Sequence, residues 1–274
     1  MFNSISKFKS NNIALFDKKK KVSYKNIFNK SKFLEEEFKE KKLAILICEN
    51  AIGIYFYYLI FRICKVPIIL LDVKTNLFEI KKIIKRYNPD FIVTNLKKKG
   101  ELGINYVSLD NFENYHLFKN FKANKKKINN KICLLIPTSG SMGSSKLAVL
   151  SYDNIEDNTK KISKYLNIKS KDKVSTNMPL SYSYMISIIN SHVNVGASIY
   201  VTNESILTRD FWINFKKNKI TSFNGVPYAY KILDQLNIKL AFNKYVKSFT
   251  QAGGDLEKEV KYRIINKCKK KKIK

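Results

Sequence analysis

The chain has 274 residues, 45% of them hydrophobic and 13% aromatic, which excludes global disorder and allows one large domain or two smaller ones. Its 52 Lys and Arg against 22 Asp and Glu leave a formal charge of +30, a balance met in nucleic-acid-binding and membrane-surface proteins. Only Arg62, Arg86, Arg209 and Arg263 are arginine, however; the other basic residues are lysines spread along the whole chain, so the pattern reads as compositional bias and nucleic acid is not an expected partner.

From the N-terminus, MFNSISKFKSNN has no apolar run of the kind a secretory signal needs. Ser23 is placed to cap a helix in which Tyr24, Ile27, Phe28, Ser31, Leu34 and Phe38 recur at helical spacing. Leu43–Cys48 reads as a buried strand and Ala51–Ile63 as a buried helix. Glu49 and Asn50 interrupt the apolar run, and Arg62 and Lys65 close it, so no membrane span is expected. Pro67–Leu71 is the next strand. Leu77, Ile80, Ile84 and Tyr87 mark a helix closed by Asn88-Pro89, and Phe91–Thr94 is a strand. This β-α-β-α-β alternation predicts an α/β fold with parallel strands.

The polar, lysine-rich stretch Asn120–Lys131 reads as a linker, dividing a first α/β subdomain (1–130) from a second (131–274). Strands are then expected at Ile132–Pro137, Leu147–Leu150, Val174–Asn177, Ser198–Thr202, Thr221–Phe223 and Val246–Thr250. Helices are expected at Asp153–Leu166, Tyr184–Asn194, Arg209–Lys217 and Tyr228–Leu236, with a last one starting near Leu256 and ending in Lys269–Lys272. No internal repeat is apparent.

Cys48, Cys64, Cys133 and Cys268 lie far apart with no C-x-x-C, which fits a reducing cytoplasm. His116 and His192 stand in no metal-binding context, so neither a zinc site nor a Ser-His-Asp triad is expected.

The residues that carry chemistry are 138–146, Thr-Ser-Gly-Ser-Met-Gly-Ser-Ser-Lys. Two glycines let the backbone turn tightly, hydroxyls and N–H groups can surround an anion, and Lys146 supplies a point charge. The loop follows an expected strand, as a phosphate cradle requires, but lacks Walker A spacing. Taken alone it also fits a Ser/Gly-rich surface turn.

The loop resembles T-S-G-S-T-G-x-P-K, the phosphate-loop signature of the adenylate-forming superfamily of acyl-CoA synthetases, adenylation domains and luciferases. Further stretches resemble that family in the same order. Val22-Ser23-Tyr24 is similar to its T-Y-x-E-L, and Phe61–Asp72 to its L-x-A-G-x-x-x-x-P-L-D. Leu150–Ile155 is similar to its T-H-x-N-I, and Met178–Tyr184 to its P-L-F-H-x-x-G. Val195-Gly196-Ala197, Gly225-Val226-Pro227 and Ala252–Leu256 resemble its G-A, G-V-P and G-G-A-P-L segments. The resemblance implies the N-terminal large-domain portion of such an enzyme, two βα-layered subdomains, C-terminally truncated.

It further implies ATP and Mg²⁺ as cofactors, a small-molecule carboxylic acid as substrate, and coenzyme A or a carrier-protein thiol as acceptor. Thr138, Ser139, Gly140, Ser141, Met142, Gly143 and Lys146 would hold the phosphates. Gly253, Gly254 and Asp255 would lie against adenine. Tyr182, Tyr184 and Met185 would border the acyl pocket, with Gly225, Val226 and Pro227 as its floor. For the two tyrosines, ordinary core packing is the competing reading; for Gly225, a turn.

There are departures. Met142 replaces a hydroxyl, Ser145 a proline and Tyr152 a histidine, while Met185 replaces a glycine where a side chain would narrow the substrate or thiol tunnel. Between Lys173 and Val201 there is no Asp or Glu to pair with a substrate ammonium, so an acyl or aryl acid is expected rather than an α-amino acid.

The family's Y-G-x-T-E segment, with its metal-contacting Glu, its ribose-binding Asp and its small domain with a catalytic Lys have no counterpart here. No catalytic residue or metal ligand can therefore be assigned, and negligible adenylation by this chain alone is expected. A frameshift over the lysine codons of Lys269–Lys272, or a separate chain supplying the missing part, would account for this. The alternative function is a non-catalytic basic binding protein using its lysine-rich surface.

Overall fold

A computed structural model describes residues 9–39, 43–123, 128–138 and 146–274. The chain opens with a short hairpin that sequence periodicity does not reveal, β1 (Ile13–Phe16) and β2 (Lys21–Ser23). Ser23 then caps α1 (Tyr24–Phe33) as expected. Its hydroxyl accepts the Asn26 N–H, and the Asn26 side chain accepts the Ser23 N–H, satisfying two donors at the helix start. The helix stops short of Phe38: Glu35–Phe38 tightens into a 3-10 turn that turns Phe38 into the core.

Next come β3 (Ala44–Cys48), α2 (Ile52–Ile63), β4 (Ile68–Asp72), α3 (Leu77–Tyr87) and β5 (Phe91–Asn95). Asn88 ends α3 in the left-handed region (φ 38°), the conformation its short side chain tolerates, and Pro89 prevents the helix from resuming. After the short α4 (Leu96–Leu102) a second hairpin appears, β6 (Val107–Phe112) and β7 (Tyr115–Lys119). The remainder alternates: β8 (Ile132–Pro137), β9 (Leu147–Ser151), α5 (Tyr152–Tyr165), β10 (Lys173–Ser175), α6 (Ser183–Asn194), β11 (Ser198–Tyr200), α7 (Arg209–Lys217), β12 (Ser222–Gly225), α8 (Pro227–Gln235), β13 (Ser248–Gln251) and α9 (Lys258–Lys270).

These strands form two sheets. The first has order β6-β7-β5-β3-β4-β8-β9 and the second β13-β12-β10-β11-β1-β2. The expected parallel core is present: β5, β3, β4 and β8 run parallel, as do β13, β12, β10, β11 and β1. Antiparallel strands finish the edges, β7 on β5, β9 on β8 and β2 on β1.

The sheets do not part at residue 130. Strand β8 lies beside β4, pairing Leu134 with Ile68, so the segment after the expected linker completes the first sheet. Conversely β1, from the start of the chain, pairs with β11 and belongs to the second.

Helix α2 explains the layering. Every residue from Ile52 to Arg62 is buried, and a helix apolar on every side up to Phe61 must be enclosed on all sides. It packs against strands of both sheets. Gly53 permits the approach to β6 and β7, since a Cβ there would fall 2.7 Å from Tyr115 Cδ2 and 2.9 Å from the Phe112 carbonyl oxygen. On its other flank the Tyr58 hydroxyl donates to Asn190 Oδ1 of α6 at 2.9 Å. Among the described residues no helix is long and apolar enough to cross a membrane.

Candidate functional site

Five parallel strands of the second sheet release the chain at the same edge, the place where open α/β sheets bind ligands. Beyond β10 the chain carries Asn177, β12 ends in Asn224-Gly225, and β13 leads through Thr250 into Ala252-Gly253-Gly254. The order of strands, not the order of residues, makes these neighbours.

A chain of hydrogen bonds joins them. The Thr250 hydroxyl donates to Asn224 Oδ1 at 2.6 Å. Having spent its proton there, it accepts from the Tyr184 hydroxyl at 2.7 Å. Tyr230 donates to the Thr250 carbonyl at 2.7 Å, and the Asn177 amide to the Asn224 carbonyl at 2.7 Å. Burial pushes the Tyr184 phenol up to about 12, with the Thr250 contact pulling the other way, so it stays a neutral donor.

Asn177 Oδ1, on the side chain that donates into this network, is buried without a hydrogen-bond partner, as is Ser181 Oγ, three residues before Tyr184 in the chain. Buried polar atoms are normally satisfied, and orphans of this kind mark a place where a polar ligand can complete the bonding.

The glycines carry the next layer. Gly225 admits no side chain: a Cβ there would lie 3.0 Å from Ala229 Cβ, 3.0 Å from Phe223 Cε1 and 3.1 Å from Tyr230 Cε2. Pro227 starts α8 at its first turn, where a missing N–H costs nothing. Gly253 and Gly254 have φ of +87° and +136°, and their α-carbons face Val226 and Pro227, where added Cβ atoms would come within 3.4 Å and 3.6 Å. The expected adenine strip and the expected pocket floor are thus adjacent. The strip is exposed, as is Asp255, which leaves a flat face of bare backbone.

The other expected residues fall in different places. Tyr182 is 52% exposed at the start of α6, so core packing does not describe it. Met185 is fully buried within the main core cluster. Thr138 and Lys146 face each other across the neck of the Gly/Ser loop. The Thr138 N–H and hydroxyl both reach the Lys146 carbonyl, at 3.1 and 3.2 Å. Ser139, Gly140, Ser141, Met142 and Gly143 lie outside the described residues.

Asn177, Ser181, Asn224, Thr250 and Tyr230 were not anticipated from sequence. Their signal was positional: each follows or flanks a strand end, and only the strand order shows that the ends meet. Among the described residues no three or more His, Cys, Asp or Glu gather in a way that could hold a metal ion. His192 is enclosed in α6, with Nδ1 on the Ile188 carbonyl at 2.8 Å, and takes no part in the site.

The family model described as "AMP-binding enzyme" matches residues 8–273, and the chain belongs to that family. Solved structures share the fold at low identity. VinN superposes with a TM-score of 0.72 at 14% identity, over 93% of this chain and 68% of its own. O-succinylbenzoate coenzyme A synthetase (MenE) from Bacillus subtilis, in complex with AMP, gives 0.73 at 16%, over 95% and 54%. Apo MatB from Rhodopseudomonas palustris gives 0.74 at 15%, over 94% and 55%. The chain therefore spans about two thirds of VinN and just over half of MenE and MatB. A comparison with curated proteins found no match.

Proposed function

We propose that this chain carries the nucleotide- and acid-binding half of an ATP-dependent carboxylate ligase. In that reaction a carboxylate oxygen bonds to the α-phosphorus of ATP, the bond to the β-phosphate bridging oxygen breaks, and pyrophosphate leaves with that electron pair. Catalysis of this kind is mostly positioning and charge neutralisation. Thr138, Ser139, Gly140, Ser141, Met142, Gly143 and Lys146 take the β- and γ-phosphates. Gly253 and Gly254 take the face of the adenine, with Asp255 at its edge. Tyr184 and Met185 back the acyl pocket, Gly225, Val226 and Pro227 floor it, and Tyr182 stands at its mouth. Magnesium bound with the triphosphate would supply charge neutralisation there, held through the phosphates, since no three or more His, Cys, Asp or Glu gather among the described residues to ligate it. Coenzyme A or a carrier thiol is the acceptor.

The observation that carries this reading is the bare Gly253-Gly254 face following the strand whose Thr250 joins a neutral hydroxyl network, with the orphan Asn177 Oδ1 beside it, in a chain matched to the AMP-binding family over nearly its full length. The substrate is an acyl or aryl acid. The segment from Lys173 to Val201 offers no carboxylate to an ammonium, and Tyr184, Thr250 and Asn224 are all neutral. VinN has been solved with L-aspartate, so an amino acid is the comparison ligand of choice.

Titration calorimetry tests the reading. The wild type should bind ATP saturably, and Lys146→Ala should weaken binding by about tenfold or more, the worth of one charge-assisted phosphate contact. Equal affinity in the variant would remove the loop from the site. Non-hydrolysable acyl-sulfamate adenylates with aryl or alkyl chains should outcompete the aspartyl analogue. ATP–pyrophosphate exchange with the same protein reports whether this chain suffices for the chemistry.

A further inference from the structure

A second concave site runs along the sheet from the start of β10, where Lys173 stands, past β1 to Lys21, which pairs with Phe16. It is a groove of about 950 Å³ between the C-terminal turn of α7 and strands β1, β2 and β10. Six lysines line it, Lys18, Lys21, Lys171, Lys173, Lys217 and Lys219, against one carboxylate, Asp17.

The charge is not balanced from within. Lys18 is paired with Glu204 at 2.6 Å, but Lys21, Lys171, Lys173, Lys217 and Lys219 form no ion pair among the described residues. Some lysines elsewhere do close on carboxylates, as Lys30 does on Asp110 and Lys161 on Asp157. Asp17 is already engaged, since one of its oxygens accepts the N–H groups of Lys19 and Lys20 at 2.7 and 2.6 Å.

The lysines also feel one another. Burial first, then the ammonium groups of Lys219 and Lys21, hold the Lys173 ammonium below its ordinary value. Like charges gathered in a concavity raise the local potential and concentrate anions there. Asn12, Ser170 and Asn218 add neutral hydrogen-bonding groups to the wall.

The lining narrows the class of anion. Lysine ammoniums act as separate point charges, suited to phosphate oxygens rather than to bidentate recognition of a planar carboxylate. The groove's one described ring is Phe16, which is 5% exposed and has Lys173 Nζ 5.5 Å from its centroid, so no ring is offered for base stacking. We propose that this groove binds a compact polyanion carrying a run of two or more phosphates, gripped by Lys21, Lys173 and Lys219 and distinct from the Gly/Ser loop. The inference stands independently of the ligase reading, because no residue is shared between the two sites.

The probe is inorganic tripolyphosphate, titrated calorimetrically into the full chain near 0.15 M salt, where diffuse surface attraction is screened. The expected result is saturable binding that Lys173→Gln with Lys219→Gln weakens by about tenfold or more. Lys173→Arg with Lys219→Arg should retain it, which guards against a folding defect. Lys81→Gln with Lys82→Gln, which removes the same charge from α3, should leave the affinity within about twofold. If the α3 pair weakens binding as much as the groove pair, the attraction is only net charge and the proposal fails. It fails equally if Lys146→Ala alone abolishes binding, or if a single-stranded oligonucleotide displaces tripolyphosphate through these lysines.

Discussion

Gly225 shows how much one residue decides. It ends β12, and its α-hydrogens face Ala229, Phe223 and Tyr230 at distances that leave no room for a methyl group. Gly225→Ala should therefore destabilise the protein by about 1–3 kcal/mol, the usual cost of overpacking, and should loosen acid binding because Tyr230 is anchored to Thr250. Urea denaturation together with analogue titration checks both; an unchanged midpoint would mean the strand end yields freely.

His192 offers a pH handle of a different kind. Burial holds its imidazole down at about 4, although the Ile188 carbonyl and the charge of Asp172 favour the proton. In the unfolded chain it takes its proton at about 6.5. The unfolded state thus binds more protons between those values, so this contribution to stability is full above ~6.5 and is lost as pH falls toward 4, amounting to about 3 kcal/mol at most. Denaturation midpoints at pH 7.5, 5.5 and 4.5 should show that decline, and His192→Gln should flatten it while lowering stability at pH 7.5.

Among the elements, two helix starts are built alike. Ser23-Tyr24-Lys25-Asn26-Ile27 and Ser151-Tyr152-Asp153-Asn154-Ile155 share one pattern, and each closes a reciprocal cap. At the second, Ser151 Oγ accepts the Asn154 N–H and Asn154 Oδ1 accepts the Ser151 N–H, both at 3.0 Å. Ser23→Ala and Ser151→Ala should each cost about 1 kcal/mol, additively because the helices do not share a cap, as thermal melts of the single and double variants will show. Ser23 was recognisable from sequence because a clear apolar period follows it. The sequence places the start of α5 at Asp153, one residue late, because Tyr152 carries no capping signal of its own. The hairpins β1–β2 and β6–β7 give no such signal: they are short, β1 is buried at three consecutive residues and β6 is largely exposed, so neither shows a clean two-residue alternation.

At the scale of the molecule, the two sheets exchange chain. The first is completed by β8 and β9 from beyond residue 130, and the second by β1 and β2 from before it. Neither 1–130 nor 131–274 retains a whole sheet, and each exposes an unpaired parallel strand edge when alone. Expressed separately, both pieces should lack cooperative unfolding by circular dichroism; a sharp transition in either would show that it is an independent domain. Helix α2 enforces the interleaving, because its continuous apolar surface needs partners from both sheets at once.

The buried strands and the buried helix α2 are legible in the sequence alone, because hydrophobic period acts over a few neighbouring residues. So is family membership, since its motifs are short and colinear. Tertiary structure alone decided which strand ends meet. Tyr184, Asn224 and Thr250 are far apart in the chain, and only the β13-β12-β10 order brings their hydroxyl and amide groups within hydrogen-bonding distance. The same holds for the lysine groove. Lys21, Lys173 and Lys219 are unremarkable members of a basic composition until the fold collects them around one concavity, where mutual repulsion makes their proximity physically meaningful.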